Sequence, residues 1–276
     1  MAGRLVASAV APHTPRMGFA AKAPDFLQGV IAGLREMGTA LRAFRPDLLV
    51  LQSAHWVTTF PWYATCQVRH RGVCVADEAP DLIPGIAYDR PGAPEFAGGL
   101  IDRLAAAGLP AGRNDSPHYA WDYGTCVPLQ YLDPEAGLPV VTLSTCLAAD
   151  LQECMTVGRI VREAAEASGK RVVFIASTAF AHLLVRGPAT QPPAAHQAAD
   201  RRLLDHLRGG DVAAARAEFE SYARTVHAEM GGRPLATFLG TLDGGPAGRQ
   251  VGATYGSYGQ SSGSGNISLA VWPIAA

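Results

Sequence analysis

The sequence has few cysteines, no long apolar run and no excess of charge of either sign. Its five cysteines are an odd number and form no Cys-x-x-Cys pair, so we expect free buried thiols and neither a disulfide framework nor a zinc knuckle. No segment reaches the roughly 18 consecutive apolar residues of a membrane-spanning helix. The 23 basic and 24 acidic residues balance, so neither a nucleic acid nor a membrane is expected as a partner. Two prolines interrupt the apolar start of the chain, which predicts a first strand instead of a signal peptide and hence a soluble, cytoplasmic protein.

Strand-like and helix-like segments alternate along most of the chain. Strands rich in Val, Ile and Leu are predicted at 4–11, 47–54, 138–145 and 170–177. Amphipathic helices are predicted at 25–44, 95–109 and 150–169. Continuous apolar strands alternating with helices favour an α/β fold with a largely parallel or mixed central sheet flanked by helices. The length of 276 residues predicts a single domain over 1–276.

Two stretches break this alternation, residues 62–92 and an ordered or mobile loop with three prolines at 184–196, and a Gly/Ser-rich tail follows them. Residues 62–92 predict a hairpin followed by a proline-rich loop. The Gly/Ser-rich segment from residue 253 precedes a predicted final strand at 266–274, and it is interpreted either as a mobile lid or as a plain connection.

Two of the predicted strands run directly into a histidine, at "LVASAVAPH" (His13) and "LLVLQSAH" (His55). Because ligands bind at the carboxyl ends of strands in open parallel sheets, both imidazoles are expected to face one cleft. Neutral imidazole is the commonest metal ligand, and a carboxylate would complete a site; one candidate is Glu229, which precedes a Gly-Gly turn and a predicted helix. Two histidines and one carboxylate suit non-haem Fe(II), although a histidine pair taken alone is more often a pair of ordinary surface or core residues than a ligand pair.

Five motifs follow one another between residues 9 and 243. They are "APHTP", "SAHW", "DYGTCVPLQYL" (122–132), "IASTAFAHLL" (175–184) and "AEMGGRPLATFLGTL". In this order they resemble the motifs of the class III extradiol ring-cleavage dioxygenases, the superfamily of the protocatechuate 4,5-dioxygenase catalytic subunit. The stretch "SAHWVTT" followed by "CVADEAPDLIPGIAY" is most similar to the 2-aminophenol 1,6-dioxygenase branch.

The resemblance implies a mechanism and a set of site residues. It implies that His13, His55 and Glu229 hold Fe(II) and that His182 is the acid-base residue. The substrates would be O2 and an aromatic ring, a 2-aminophenol or catechol derivative, with both oxygen atoms inserted next to the ortho heteroatoms. One group with a pKa near the operating pH can remove a substrate proton and return it later, which is the role implied for His182.

The chain departs from the family pattern at Tyr123, where many catechol-cleaving members have a histidine. With an ordinary pKa of about 10 a tyrosine is no general base at neutral pH, but it can donate a hydrogen bond. We interpret Tyr123 either as a donor that suits an amino-bearing substrate or as a packing residue. Thr125 and Pro128 of the same motif are candidate substrate contacts, and so is His118, four residues before Asp122, although a loop histidine is more often solvated.

Other interpretations stay open at this stage. A non-catalytic partner subunit or binding protein on the same fold is one alternative, since the aminophenol branch pairs a catalytic subunit with a related inactive one. A zinc hydrolase with the same ligands is weaker, because no hydrolase nucleophile or oxyanion motif is evident. The resemblance implies a homo-oligomer or a hetero-oligomer with a related subunit. Arg186 and Arg233 are candidate partners for a substrate carboxylate.

Overall fold

The structure, a computed structural model, describes residues 3–242 and 250–274. Its strands are β1 Arg4–Ala11, β2 Leu48–Thr58, β3 Trp62–Thr65, β4 Arg69–Cys74, β5 Ile86–Pro91, β6 Ala111–Asn114, β7 Val140–Cys146, β8 Arg171–Ser177, β9 Gln250–Ser261 and β10 Ser264–Pro273. Its helices are α1 Asp25–Ala43, α2 Pro94–Ala106, α3 Tyr123–Leu132, α4 Leu151–Ala167, α5 Ala194–Gly209, α6 Val212–Thr225 and α7 Arg233–Thr241. None of the helices in these two ranges is long and apolar enough to cross a membrane.

An eight-stranded mixed sheet forms the centre of the molecule, in the order β6-β3-β7-β2-β8-β1-β10-β9. Strands β7, β2, β8 and β1 are parallel neighbours, and β10 and β9 extend the sheet antiparallel beyond β1. At the other edge β3 runs antiparallel to β7 and parallel to β6. Strand β7 is buried along its whole length, as expected of a strand covered on both faces. The α/β fold with a mixed sheet is confirmed.

Successive residues of the central strands feed two separate cores. Leu48 and Val50 of β2 belong to the core beneath α2, α4, α5, α6 and α7, whereas Leu49 and Leu51 belong to the core beneath α1 and α3. This alternation follows from the two-residue period of a strand. The sheet is therefore covered by helices on both faces, and a functional site can only open at an edge or at the strand ends.

The Gly/Ser-rich segment that follows residue 253 is most of strand β9, so both earlier interpretations of it are wrong. Helix α1 lies directly on this strand: a Cβ added at Gly33 would lie 2.2 Å from the carbonyl oxygen of Tyr255. Gly256 has φ +69°, a conformation that favours glycine. The glycines thus permit close helix-strand contact, and their abundance does not reflect mobility.

The hairpin predicted within residues 62–92 is also wrong in its pairing. Strand β3 joins the central sheet, and β4 pairs instead with β5 in a separate two-stranded sheet. The proline-rich stretch predicted to follow the hairpin is the connection between β4 and β5, and it carries Glu78 to the site described next.

Candidate metal centre and substrate pocket

Three adjacent parallel strands deliver three histidines to one end of the sheet. Strand β8 lies between β1 and β2; His13 follows β1, His182 follows β8, and His55 lies near the end of β2. The carboxyl ends of parallel strands meet at the same sheet edge, so the imidazoles converge although they are distant in sequence.

His55 does not come after its strand, as predicted, but lies inside β2 at an irregularity. The register of β2 against β7 shifts between Gln52 and Val57. Such bulges re-aim a side chain. The new direction is fixed locally, because the His55 backbone N–H donates to Ser53 Oγ at 3.0 Å and that hydroxyl donates to Asp122 at 2.6 Å. Asp122 is in turn the N-cap of α3.

Glu229 is held in a tight turn between α6 and α7. The three residues after it, 230–232, all have positive φ, and Gly231 and Gly232 adopt this conformation with little strain. One carboxylate oxygen, Oε2, accepts hydrogen bonds from the Ala179 N–H at 2.7 Å and from the Thr178 hydroxyl at 3.1 Å. The other oxygen, Oε1, is left to face the histidines.

The three predicted ligand residues come together as one cluster. Glu229 Oε1 lies 3.2 Å from His13 Nε2 and 3.6 Å from His55 Nε2, and the two Nε2 atoms are 3.1 Å apart. One ligand atom from each residue lies within 4.8 Å of the other two. This donor set fits a divalent cation, and two imidazoles with one carboxylate are the set that suits non-haem Fe(II).

A chain of hydrogen bonds fixes the tautomer of His13. Ser177 Oγ donates its one proton to the Gly124 carbonyl, so it can only accept from His13 Nδ1, 3.0 Å away. Neutral His13 therefore carries its proton on Nδ1 and has a free lone pair on Nε2, as a metal ligand requires. The Gly124 carbonyl is open to Ser177 because its α-helical partner would be the N–H of residue 128, and Pro128 has none.

The charges of the cluster follow from burial and mutual contact. Burial alone would raise the pKa of Glu229, but the nearby His13, His55 and His182 lower that pKa well below its usual range. Burial, together with the positive charges that His13 and His55 can carry, lowers the pKa of His182 despite the opposing Glu229. At neutral pH Glu229 is therefore a carboxylate, and His182 is a neutral imidazole able to accept a proton.

His182 has a firmly held backbone and a partly exposed side chain. Its Nε2 lies 3.5 Å from Glu229 Oε1, and its N–H donates to the Val226 carbonyl at 3.1 Å. The preceding residue, Ala181, donates its N–H to Asp200 at 3.3 Å, and its carbonyl accepts from the Gly265 N–H at 2.8 Å. The backbone is thus fixed at His182 and at the residue before it.

Asp200 is a fully buried acid to which no cation in the described part of the chain is bonded. It accepts hydrogen bonds from the hydroxyls of Tyr222 at 2.8 Å and Tyr258 at 2.6 Å, besides the Ala181 N–H. Burial raises its pKa, and these three donors oppose the shift. A buried polar group is tolerated when its hydrogen bonds are made, so this cluster stabilises the segment before His182.

Tyr123 begins α3 and packs against the predicted metal ligands His55 and His13. Its ring centroid lies 4.1 Å from that of His55 and 5.8 Å from that of His13, and only 7% of the residue is exposed. Burial and the negative charges of Glu229 and Glu78 raise its pKa above the ordinary value. The phenol keeps its proton, so Tyr123 is a donor and not a base.

A pocket of about 270 Å³ opens over the cluster. In another protein an apolar cavity of roughly 150 Å³ accommodates benzene, so this pocket has room for one substituted ring. Besides the cluster, Tyr123 and His182, the residues that line it are Thr14, Pro15, Arg16, Glu78, Ala79, Leu82, Ala179, Leu184, Ser261, Ser262, Ser264 and Asn266.

A match over most of its length shows the family of the chain. The family model described as the catalytic LigB subunit of aromatic ring-opening dioxygenase matches residues 7–265. The chain belongs to this family. It is therefore a ring-cleaving dioxygenase of the extradiol type, which confirms the family and the reaction class that the five motifs predict.

Curated relatives of this LigB-family chain have modest identity. The 3,4-dihydroxyphenylacetate 2,3-dioxygenase of Escherichia coli is 25% identical over 66% of this chain and 68% of its own length. The beta subunit of a Pseudomonas 2-aminophenol 1,6-dioxygenase is 25% identical over 65% of this chain and 63% of its own, and the alpha subunit is 26% identical over 81% and 86%. A crystal structure of an uncharacterised Escherichia coli K12 protein shares the fold, with a TM-score of 0.67 and 20% identity over 96% of this chain and 99% of that one.

Three residues predicted to contact substrate do not line this pocket. His118 is exposed in the loop before α3, and Pro128 is buried within α3. Thr125 is fully buried, and its hydroxyl and N–H both bond to Asp122. A substrate contact for these three stays a prediction without support from their positions. Thr125 and Pro128 instead help to position the Asp122 and Gly124 groups that hold His55 and His13 in this LigB-family site.

The two arginines proposed as carboxylate partners are also placed elsewhere. The Arg233 guanidinium donates to three backbone carbonyls, those of Leu147, Ala149 and Met230, and Arg186 is exposed. Among the described residues that line the pocket, Arg16 is the only lysine or arginine. Sequence reasoning missed Arg16, although it follows the first ligand motif directly.

Proposed function

We propose that this extradiol dioxygenase is a non-haem Fe(II) enzyme that opens a 2-aminophenol or catechol derivative beside its ortho heteroatoms, with both atoms of O2 entering the product. The observation that carries this proposal is the convergence of the ligand atoms of His13, His55 and Glu229 within 4.8 Å at the base of a ring-sized pocket. When bound, Fe(II) would supply open positions for both ortho heteroatoms and for O2, and a path for electrons between them.

The ligand residues would hold the ion in a defined charge state. Neutral His13 and His55 with the Glu229 carboxylate leave a divalent site with one net positive charge, which favours an anionic, deprotonated substrate. The His13 tautomer is set in advance by Ser177, and Glu229 presents a single free oxygen. Little reorganisation is therefore needed when the site is filled.

His182 is proposed to move the proton. Its neutral imidazole, whose Nε2 is 3.5 Å from Glu229 Oε1, would accept the proton of the substrate hydroxyl and return it later in the reaction. Its lowered pKa keeps it in the base form at neutral pH. The hydrogen-bonded backbone of Ala181 and His182 holds this atom beside the ligand cluster.

Tyr123 is proposed to donate a hydrogen bond to the substrate. Its raised pKa keeps the O–H proton in place, and its uncharged side chain would not repel a protonated amino group as an imidazolium would. This property supports an aminophenol as one substrate class. The alternative, that Tyr123 only packs on His55, predicts no difference between aminophenols and catechols when the hydroxyl is removed.

A non-catalytic subunit is the second candidate function. It is favoured by the match to both the alpha and the beta subunit of a 2-aminophenol 1,6-dioxygenase. On this hypothesis the chain would bind metal or substrate without consuming O2 unless a related subunit is present. Assembly, either with itself or with such a subunit, is part of the proposal in both cases.

Anaerobic reconstitution with Fe(II) tests the proposal. Oxygen uptake and ultraviolet spectra would be recorded with 2-aminophenol, catechol and their carboxylated relatives, with a Zn(II)-loaded sample and His13→Ala as controls. We expect one O2 consumed per ring opened, only with iron and not in the variant. Iron bound at full occupancy without uptake on any ring would favour the non-catalytic subunit.

A further inference from the structure

Arg16 is a cation in the pocket that has no ion-pair or hydrogen-bond partner among residues 3–242 and 250–274. It lies in a short 3-10 turn, Pro15–Met17, three residues after the ligand His13. It is partly buried, and its side chain forms no ion pair or hydrogen bond with any residue in the described ranges. By contrast, the buried Arg90 bonds to Asp133 and to two backbone carbonyls.

The backbone of Arg16 is held in place. The Met17 N–H donates to the Thr14 carbonyl at 2.9 Å, and the Met17 carbonyl accepts from the Tyr131 hydroxyl and from Gln130. The backbone of Arg16 is therefore fixed, and only its side chain has no partner among the described residues. A guanidinium offers five N–H donors in a planar fork that matches a carboxylate. A partly buried guanidinium has lost some of its hydration, and hydrogen bonds to a carboxylate replace that hydration best.

The acidic groups nearby do not supply that partner. Glu78 lines the same pocket, but its carboxylate lies 3.9 Å from His55 Nδ1, on the side of the ligand cluster. Asp81 lines a smaller neighbouring cavity with Arg16 and Lys22, and it forms no ion pair with either in the described part of the chain. The pocket thus contains the ligand cluster of His13, His55 and Glu229 at one place and, at another, the positive charge of Arg16, which has no acidic partner among the described residues.

We propose that the substrate carries a carboxylate, on the ring or on a short side chain, and that Arg16 binds it while the ortho heteroatoms face the ligand cluster. This inference rests on the proposed function, since it assumes that the ring binds over His13, His55 and Glu229. A pocket of about 270 Å³ has room for the acid group besides the ring.

Matched pairs of rings test the assignment. Each pair compares an acid with a neutral analogue of similar shape: 3,4-dihydroxybenzoate with 4-methylcatechol, 3,4-dihydroxyphenylacetate with 4-ethylcatechol, and 4-amino-3-hydroxybenzoate with 2-amino-5-methylphenol. Both kcat/KM and anaerobic binding to the Fe(II)-loaded protein would be measured. We expect the wild type to favour the acid of at least one pair.

The variants locate the effect. Arg16→Met should lower the binding affinity and kcat/KM for that acid by about tenfold to a hundredfold, the typical loss for a charged hydrogen-bond partner. The same two quantities should change less than twofold for its neutral analogue. Arg16→Lys should retain part of the preference. Lys22→Met removes a neighbouring positive charge outside the pocket, so it should leave both members of the pair unchanged.

Two results would overturn the inference. The first is a wild type that favours no acid in binding or turnover. The second is an Arg16→Met variant whose affinity and kcat/KM fall equally for the acid and for its neutral analogue. If neither ring is opened although both bind, the proposed function fails instead, and the binding preference still decides the role of Arg16. An unchanged melting temperature in Arg16→Met would show that the fold is intact, as expected for a side chain without an ion pair or hydrogen bond in the described structure.

Discussion

Removing the Ser177 hydroxyl is predicted to weaken metal binding without touching a metal ligand. Ser177 is fully buried at the end of β8, donates to the Gly124 carbonyl and accepts from His13 Nδ1 at 3.0 Å. In Ser177→Ala both partners lose this bond, and His13 loses the contact that fixes its tautomer and ring orientation. Loss of such a supporting contact typically costs tenfold to a hundredfold in metal affinity, or about 1.4–2.7 kcal/mol.

The Ser177→Ala variant should also have a lower free energy of unfolding than the wild type. A buried carbonyl left without a donor costs about 1–3 kcal/mol, a substantial share of the roughly 5–15 kcal/mol by which a domain is stable. Urea unfolding of the metal-free protein measures this loss. Metal affinity is then measured separately, by competition with a chelator under conditions in which the variant is folded.

Two further variants show whether the loss of metal affinity comes from the hydrogen bond of Ser177. Ser268→Ala makes the same chemical change in another fully buried strand serine, whose hydroxyl has no partner in the described structure, so its metal affinity should equal that of the wild type. Pro128→Ala restores an N–H that can bond to the Gly124 carbonyl, which would free Ser177 to donate to His13 and should lower the affinity in the same direction as Ser177→Ala. A folded Ser177→Ala protein that binds metal within twofold of the wild type would refute this reasoning.

Three other predictions concern the remaining site residues. His182→Gln should lower kcat by about a hundredfold to ten-thousandfold with metal content unchanged, because the proton acceptor is lost. In the wild type kcat should fall only below a pH of about 6.5, the ordinary histidine pKa, because the pKa of His182 is lowered. A His182→Gln variant whose kcat still falls in the same pH range would contradict the assignment. Tyr123→Phe should slow aminophenols more than catechols, measured as the ratio of kcat/KM, and an unchanged ratio would leave Tyr123 as a packing residue. Asp200→Ala should lower the free energy of unfolding by about 3–5 kcal/mol in urea titrations, because the Tyr222 and Tyr258 hydroxyls and a backbone N–H lose their acceptor; a loss below about 1 kcal/mol would show that these groups find other partners.

The central sheet and its main helices could be predicted because their sequence patterns are local. Continuous apolar runs ending at His13 and His55 identify parallel strands, and amphipathic periodicity identifies α1, α2 and α4. Strand β9 could not be recognised in this way, since its glycines serve contact with α1 and depress the strand signal. The partner of β4 was missed because the long connection 75–85 separates β4 from β5, so no short turn marks the pairing.

The site was predictable only where a motif carries it. The motifs pointed to His13, His55, Glu229 and His182, and the fold brings these four together. The motifs did not show what holds them, because the contact between Ser177 and Gly124 depends on a missing N–H at Pro128 in another element. His118 was chosen for its nearness in sequence to Asp122, but the loop directs it to solvent. Arg16 has no distinctive pattern, and only the pocket reveals it.

The most direct test of the proposed chemistry is a turnover of the Fe(II)-loaded enzyme under ¹⁸O2, with the ring-opened product analysed by mass spectrometry. We expect both labelled atoms to enter one product molecule, and the broken carbon–carbon bond to lie beside the pair of ortho heteroatoms. A product that contains one labelled atom or none, or a ring opened between the two heteroatoms, would contradict it.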